Sequence, residues 1–185
     1  MSAERLESSV DLAALDTIGT WTLNAGAMYA ASKGRWDDHR LLVERLDAQA
    51  ERLLAAGDTT GARSLAAHSA WARGFGEWKR GRLETAFTLL EEARRAGVSW
   101  TEFSGDLLME MENYTLAVRH YKANWINPLT RLKLASAYEM LGEDEKARDA
   151  YSYFVQAWSD ADTELQPIVE QAKESIERLA GDRPR

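Results

Sequence analysis

Residues 134 to 158, LASAYEMLGEDEKARDAYSYFVQAW, constrain the fold more than any other stretch of the chain. Leu134, Ala135, Tyr138 and Leu141 recur at three- and four-residue intervals before Gly142, and Ala147, Ala150, Tyr151, Phe154 and Trp158 do so after it. That spacing predicts two amphipathic helices joined by a tight turn, with small residues where the helices touch. The same punctuation returns upstream. Gly57 precedes Ala62, Gly81 precedes Ala86 and Gly142 precedes Ala147, each by five residues, and Glu112 and Ala117 keep the interval without the glycine. The physical reading is steric: one residue reverses the chain, and the alanine after it lets the second helix lie close to the first.

Helix periodicity extends over nearly the whole chain, and no segment alternates with period two, so the fold class is all-α with about nine helices. A first helix is expected from Ser9 to Ser32, with Leu15, Ile18, Trp21, Ala25, Met28 and Tyr29 on its inner stripe and Gly19 and Gly26 as weak points. A second runs from Trp36 to Ala56, with Leu42, Val43, Leu46, Ala50, Leu53 and Leu54 inward. Asp58 caps a third, Thr60 to Lys79, and a fourth spans Arg82 to Ala96. Ser99-Trp-Thr-Glu102 reads as a capping box that opens a fifth, which breaks at Met111 to Asn113 before a sixth marked by Ala117 and Tyr121. Asn127-Pro128 opens the seventh, and a last helix ends near Ala180 with Pro167 in its first turn.

Leu134, Ala135, Tyr138, Ala147 and Tyr151 together resemble the tetratricopeptide repeat, whose first helix carries Leu-Gly/Ala-x-x-Tyr and whose second carries Ala-x-x-x-Phe/Tyr. Residues 98 to 127 match more loosely through Gly105, Leu108, Ala117 and Tyr121, and residues 67 to 97 through Gly74, Gly81, Ala86, Leu90 and Ala93. The run from Ala147 to Leu179 is similar to the C-terminal repeats of some bacterial serine/threonine kinases and transcriptional regulators. The resemblance implies a right-handed superhelical stack of antiparallel helix hairpins, a TPR-like α-solenoid. It implies a single domain over 1–185: an N-terminal pair at 9–57, degenerate repeats at 58–127, the best match at 128–162 and a capping helix at 163–180. The repeats are spaced more tightly than that family's roughly 34-residue period.

Composition narrows the function. The chain has 185 residues, no cysteine, a formal net charge of -7 and a pI near 5.1. Without cysteine there is neither a disulfide framework nor a thiolate metal site, so a cytoplasmic location is expected. The acidic balance and dispersed Lys and Arg argue against nucleic acid, and acidic residues interrupt the N-terminal apolar runs, so neither a signal peptide nor a membrane anchor is expected. His39, His68 and His120 lack metal-ligand spacing, and Asp37-Asp38-His39 reads better as a charged helix start. Gly74-Phe-Gly76 lacks the strand and further glycine of a phosphate loop. No enzyme, cofactor or metal is expected.

What remains is binding. The resemblance places His68, Trp71, Phe75 and Trp78 on a concave groove wall, continued by Glu102, Asp106, Met109 and Glu110 and then by Leu132, Ser136, Glu139 and Met140. The aromatic stripe has a competing reading as core packed on Leu46, Leu53 and Leu54, where helical aromatics more often lie. The acidic downstream positions point to a basic or amphipathic protein or peptide partner, whereas family members that grip a C-terminal carboxylate use Lys, Arg and Asn there. A self-associating subunit, held together through the N-terminal helix or the Trp125 and Trp158 region, is the alternative, and a small-molecule sensor ranks below it.

Overall fold

A computed structural model describes residues 19–98, 101–123, 127–160 and 162–181. Among these residues the chain forms nine helices and no strand. They are α1 (Thr20–Ser32), α2 (Trp36–Ala55), α3 (Thr59–Lys79), α4 (Leu83–Arg95), α5 (Thr101–Glu110), α6 (Tyr114–Lys122), α7 (Pro128–Met140), α8 (Asp144–Ala157) and α9 (Gln166–Gly181). Most observed ends fall within a residue of the expected ones. The start expected at Ser9 and the Ser99-Trp100 part of the capping box lie outside the described residues, as does Trp125.

The turns explain the sequence interval. After α7, Gly142 sits at φ 69°; its N–H donates to the Glu139 carbonyl at 2.9 Å, and the Glu143 N–H donates to the Tyr138 carbonyl at 3.0 Å. This reciprocal closure satisfies the last carbonyls of the helix while reversing the chain. Glu112 makes the same closure after α5: its φ is 57°, its N–H reaches the Met109 carbonyl at 3.1 Å, and the Asn113 N–H reaches Leu108 at 2.9 Å. The non-glycine hairpin therefore keeps the left-handed geometry and tolerates its cost. Asn113, Asp58 and Asn127 cap the following helices, their side chains accepting from the N–H groups of Leu116, Gly61 and Leu129.

Contacts divide the chain between Ser99 and Trp100 into two compact units. In the first unit α3 is central, packing on α1, α2 and α4. Leu23, Ala27, Val43, Leu46, Leu65 and Ala72 form a core cluster, with Leu42, Ala50 and Leu53 packed against it. In the second unit each helix packs on the next, and α5 also touches α7.

Two expected inner faces are corrected. On α1 the buried residues are Leu23, Asn24, Ala27, Ala30 and Ala31, whereas Trp21 is 64 % exposed and Tyr29 is also exposed. Alanine and apolar residues encircle that helix, so periodicity alone selects no face. On α2 Leu54 is 59 % exposed, while its neighbour Leu53 in the same turn packs against the core and meets α3 at Gly61.

The buried alanines mark close approach. Ala62, Ala86, Ala117 and Ala147 are all buried. At the corresponding place after Gly34 stands His39, a larger group, and the opposing helix gives up its side chain instead: a Cβ on Gly76 would lie 2.3 Å from His39 Nε2. Gly105 does the same for Tyr121, whose ring lies across α5.

Candidate functional site

The aromatic stripe of α3 lies in the interior. Trp71 is 1 % exposed, Phe75 and Trp78 are buried with it, and the Phe75 and Trp78 rings meet edge to face at 5.7 Å. Lys79 covers both, its Nζ 4.0 Å from the Trp78 ring centroid and 5.2 Å from that of Phe75. His68, half-buried, turns to α1: its carbonyl accepts from Asn24 Nδ2 at 2.9 Å, and burial holds its imidazole below the ordinary histidine pKa. These four side chains do not form an open groove wall.

Asp37, Asp38 and His39 point apart. Asp37 pairs with Arg40, and Asp38 with Arg35 at 2.6 Å, while His39 turns its Nδ1 to the Ala27 carbonyl at 3.0 Å. Among the described residues no group of three His, Asp or Glu side chains is placed to hold a metal ion.

The downstream positions are brought together. Glu102 and Asp106 project from α5 one turn apart, and Lys133 Nζ of α7 sits between them at 2.8 Å from Glu102 Oε1 and 2.7 Å from Asp106 Oδ2. Burial works to lower the Lys133 pKa, but the two carboxylates outweigh it and hold the ammonium above its ordinary value. Asp106 Oδ1 also accepts the Tyr121 hydroxyl at 2.7 Å; burial first, and then that carboxylate, push the phenol far up. On α7, Glu139 accepts the Tyr151 hydroxyl at 3.0 Å and pairs with Arg178 of α9 at 2.7 Å. Ser136 Oγ lies 3.3 Å from the same hydroxyl. The result is a half-exposed row along α5, α7 and α9 in which each carboxylate already has a cation.

Met109 and Leu132 are half-buried, while Glu110 and Met140 are exposed. Lys133 and Arg178 were not expected there. They lie 31 and 39 residues along the chain from the carboxylates Glu102 and Glu139 that they neutralise, so no local pattern announces them. Their presence offsets only two of the four carboxylates Glu102, Asp106, Glu110 and Glu139, so the row stays acidic.

A second concavity of about 440 Å³ opens between α6, α7 and α8. Its floor is Leu134 and Ala150, both buried. Lys122 of α6 and Lys146 of α8 both lean over the Tyr138 ring, with Nζ 5.9 and 5.5 Å from its centroid. The Arg131 guanidinium stacks on Tyr153 at 4.7 Å, and Asp149 lines the same wall. Cation–π contacts of this kind orient the charged heads without consuming their charge.

No helix among the described residues is long and apolar enough to cross a membrane. No protein-family model matches this chain, and no curated protein matches it.

Proposed function

We propose that this chain is a non-enzymatic interaction scaffold, a TPR-like array of helix hairpins whose second unit holds a basic or amphipathic segment of a partner protein along the α5, α7 and α9 row. The observation that carries this reading is Lys133 between Glu102 and Asp106. An ammonium group already seated on two carboxylates is an intramolecular stand-in for a partner lysine, and a ligand lysine exchanges with it at little electrostatic cost. The row rests on helices rather than loops, and Gly105, Tyr121 and Tyr151 lock its acids in place from behind, so little ordering is needed on binding.

Titrating a fluorescent Lys-rich amphipathic helical peptide into the full chain tests it. With Lys133→Ala the vacated carboxylates bind the peptide about fivefold to tenfold more tightly, and Glu102→Gln with Asp106→Asn weakens it by a similar factor. Equal affinity in all three proteins overturns the reading. Self-association through α1 is the second reading, favoured by the exposure of Trp21 and Tyr29. A mass by light scattering that stays monomeric at every concentration removes it.

A further inference from the structure

We propose that the furrow between α5 and α7 receives an amphipathic helix of a partner protein, which sets a basic side chain on Glu102 and Asp106 and a bulky aliphatic one, seven residues away, on Met109 and Met140. The inference rests on the reading of the α5, α7 and α9 row as a binding surface and names what that surface selects. Short connections join α5, α6 and α7, each packed on the next, so α5 and α7 run in the same direction. On α5 the half-buried Glu102, Asp106 and Met109 follow one another at four and three residues and share a face. On α7 Lys133 and Met140 stand seven apart and share a face as well. Lys133 Nζ meets Glu102 and Asp106 at 2.8 and 2.7 Å, so the two faces front each other. Acids therefore lie at one end of the furrow and two thioethers at the other.

Charge and shape select the occupant. Met140 is 56 % exposed, and the unbranched thioethers of Met140 and Met109 adapt to a leucine or isoleucine. Around them the chain is acidic: residues 109–117 and 138–147 carry six carboxylates against one lysine, Lys146, with Arg178 of α9 reaching in to Glu139. An acidic partner is repelled from such a rim and a basic one is drawn to it. Between Lys133 and Met140 stands Ser136, whose hydroxyl turns back to the Leu132 carbonyl at 3.3 Å, so no bulk fills the middle of the furrow. At 1.5 Å per residue Lys133 and Met140 lie about 10 Å apart along α7. A helix laid beside α7 returns to the same face after seven residues over that same length. An extended segment covers about 10 Å in three residues, which puts its two side chains on opposite sides.

Fluorescence anisotropy of the full chain with three helical peptides of equal charge decides the matter. The first carries lysine at one position and leucine seven residues on, the second has alanine in place of that leucine, and the third has the leucine moved to five residues on, around the far side of the helix. The first is expected to bind about tenfold more tightly than the other two and to shift the Met109 and Met140 methyl signals in NMR spectra. Met140→Ser abolishes the preference for leucine and leaves helicity unchanged, since that side chain is exposed. Equal affinity for the three peptides, with Glu102→Gln and Asp106→Asn together still weakening all of them, overturns this inference and leaves the reading of the row standing. A leucine preference that persists in Met140→Ser has the same meaning. Binding indifferent to the two carboxylate changes, or no binding by any peptide, overturns the reading of the row and this inference with it.

Discussion

Replacing Gly105 by alanine tests the contact that positions the acidic end of the row. Gly105 lies inside α5, where a solvent-facing Gly→Ala change stabilises by about 0.5 to 1 kcal/mol. Here the new Cβ would sit 2.4 Å from Tyr121 Cε1, 2.7 Å from Cδ1 and 2.8 Å from Cζ. The ring is rigid and 1 % exposed, and its hydroxyl is tied to Asp106 at 2.7 Å, so it has nowhere to yield. Overpacking of this kind costs about 1 to 3 kcal/mol, and displacing a hydrogen bond to a charged group costs about 1.5 to 3. After the gain in helix propensity the net loss is about 1.5 to 5.5 kcal/mol. With a urea slope near 2 kcal/mol per molar, the midpoint falls by about 1 to 3 M. Combining Gly105→Ala with Tyr121→Leu removes the clash, so the two changes together cost less than their sum. A Gly105→Ala protein as stable as the wild type, or an additive cycle, refutes the close approach.

Two further outcomes follow from single residues. Glu112→Gly relieves a left-handed φ of 57° at an exposed turn and raises stability by about 1 kcal/mol, read from urea unfolding, whereas Gly142→Ala lowers it by about the same amount. Burial depresses the His39 pKa below 6.5, against the raising effect of its bond to the Ala27 carbonyl, so the folded state binds fewer protons than the unfolded chain. The His39 contribution is complete above pH 6.5 and is lost as pH falls below that value. Thermal midpoints at pH 5.5 and 7.5 should differ less in His39→Gln than in the wild type, with His68 supplying part of what remains.

Many helix boundaries were legible because they carry local signals: a left-handed glycine follows α1, α2, α3, α4 and α7, and Asn or Asp caps open α3, α6 and α7. Gly142 and Asn127-Pro128 act through backbone geometry and local hydrogen bonds, which neighbouring residues alone decide. The alanine interval was legible for the same reason, since a methyl-sized contact five residues past a turn is a local event. The face of α1 was not legible: its alanines and apolar residues surround the helix, and buried Asn24, held by the His68 carbonyl 44 residues away, was the sign of the true inner stripe. The α3 aromatics fitted both a groove and a core reading, with core the more common place for such a stripe, because helical spacing has the same pattern whether it meets a partner or the protein's own interior.

By itself the chain of residues determined where helices start, where they stop and how near each may lie to the next, because capping, left-handed turns and methyl-sized contacts act over fewer than about ten residues. Tertiary structure alone decided how charge is distributed over the second unit. Lys133 and Arg178 reach carboxylates on other helices, while Lys122, Arg131 and Lys146 gather over Tyr138 and Tyr153. Coulombic attraction falls with distance through space and takes no account of separation along the chain, so only folding reveals which charges meet.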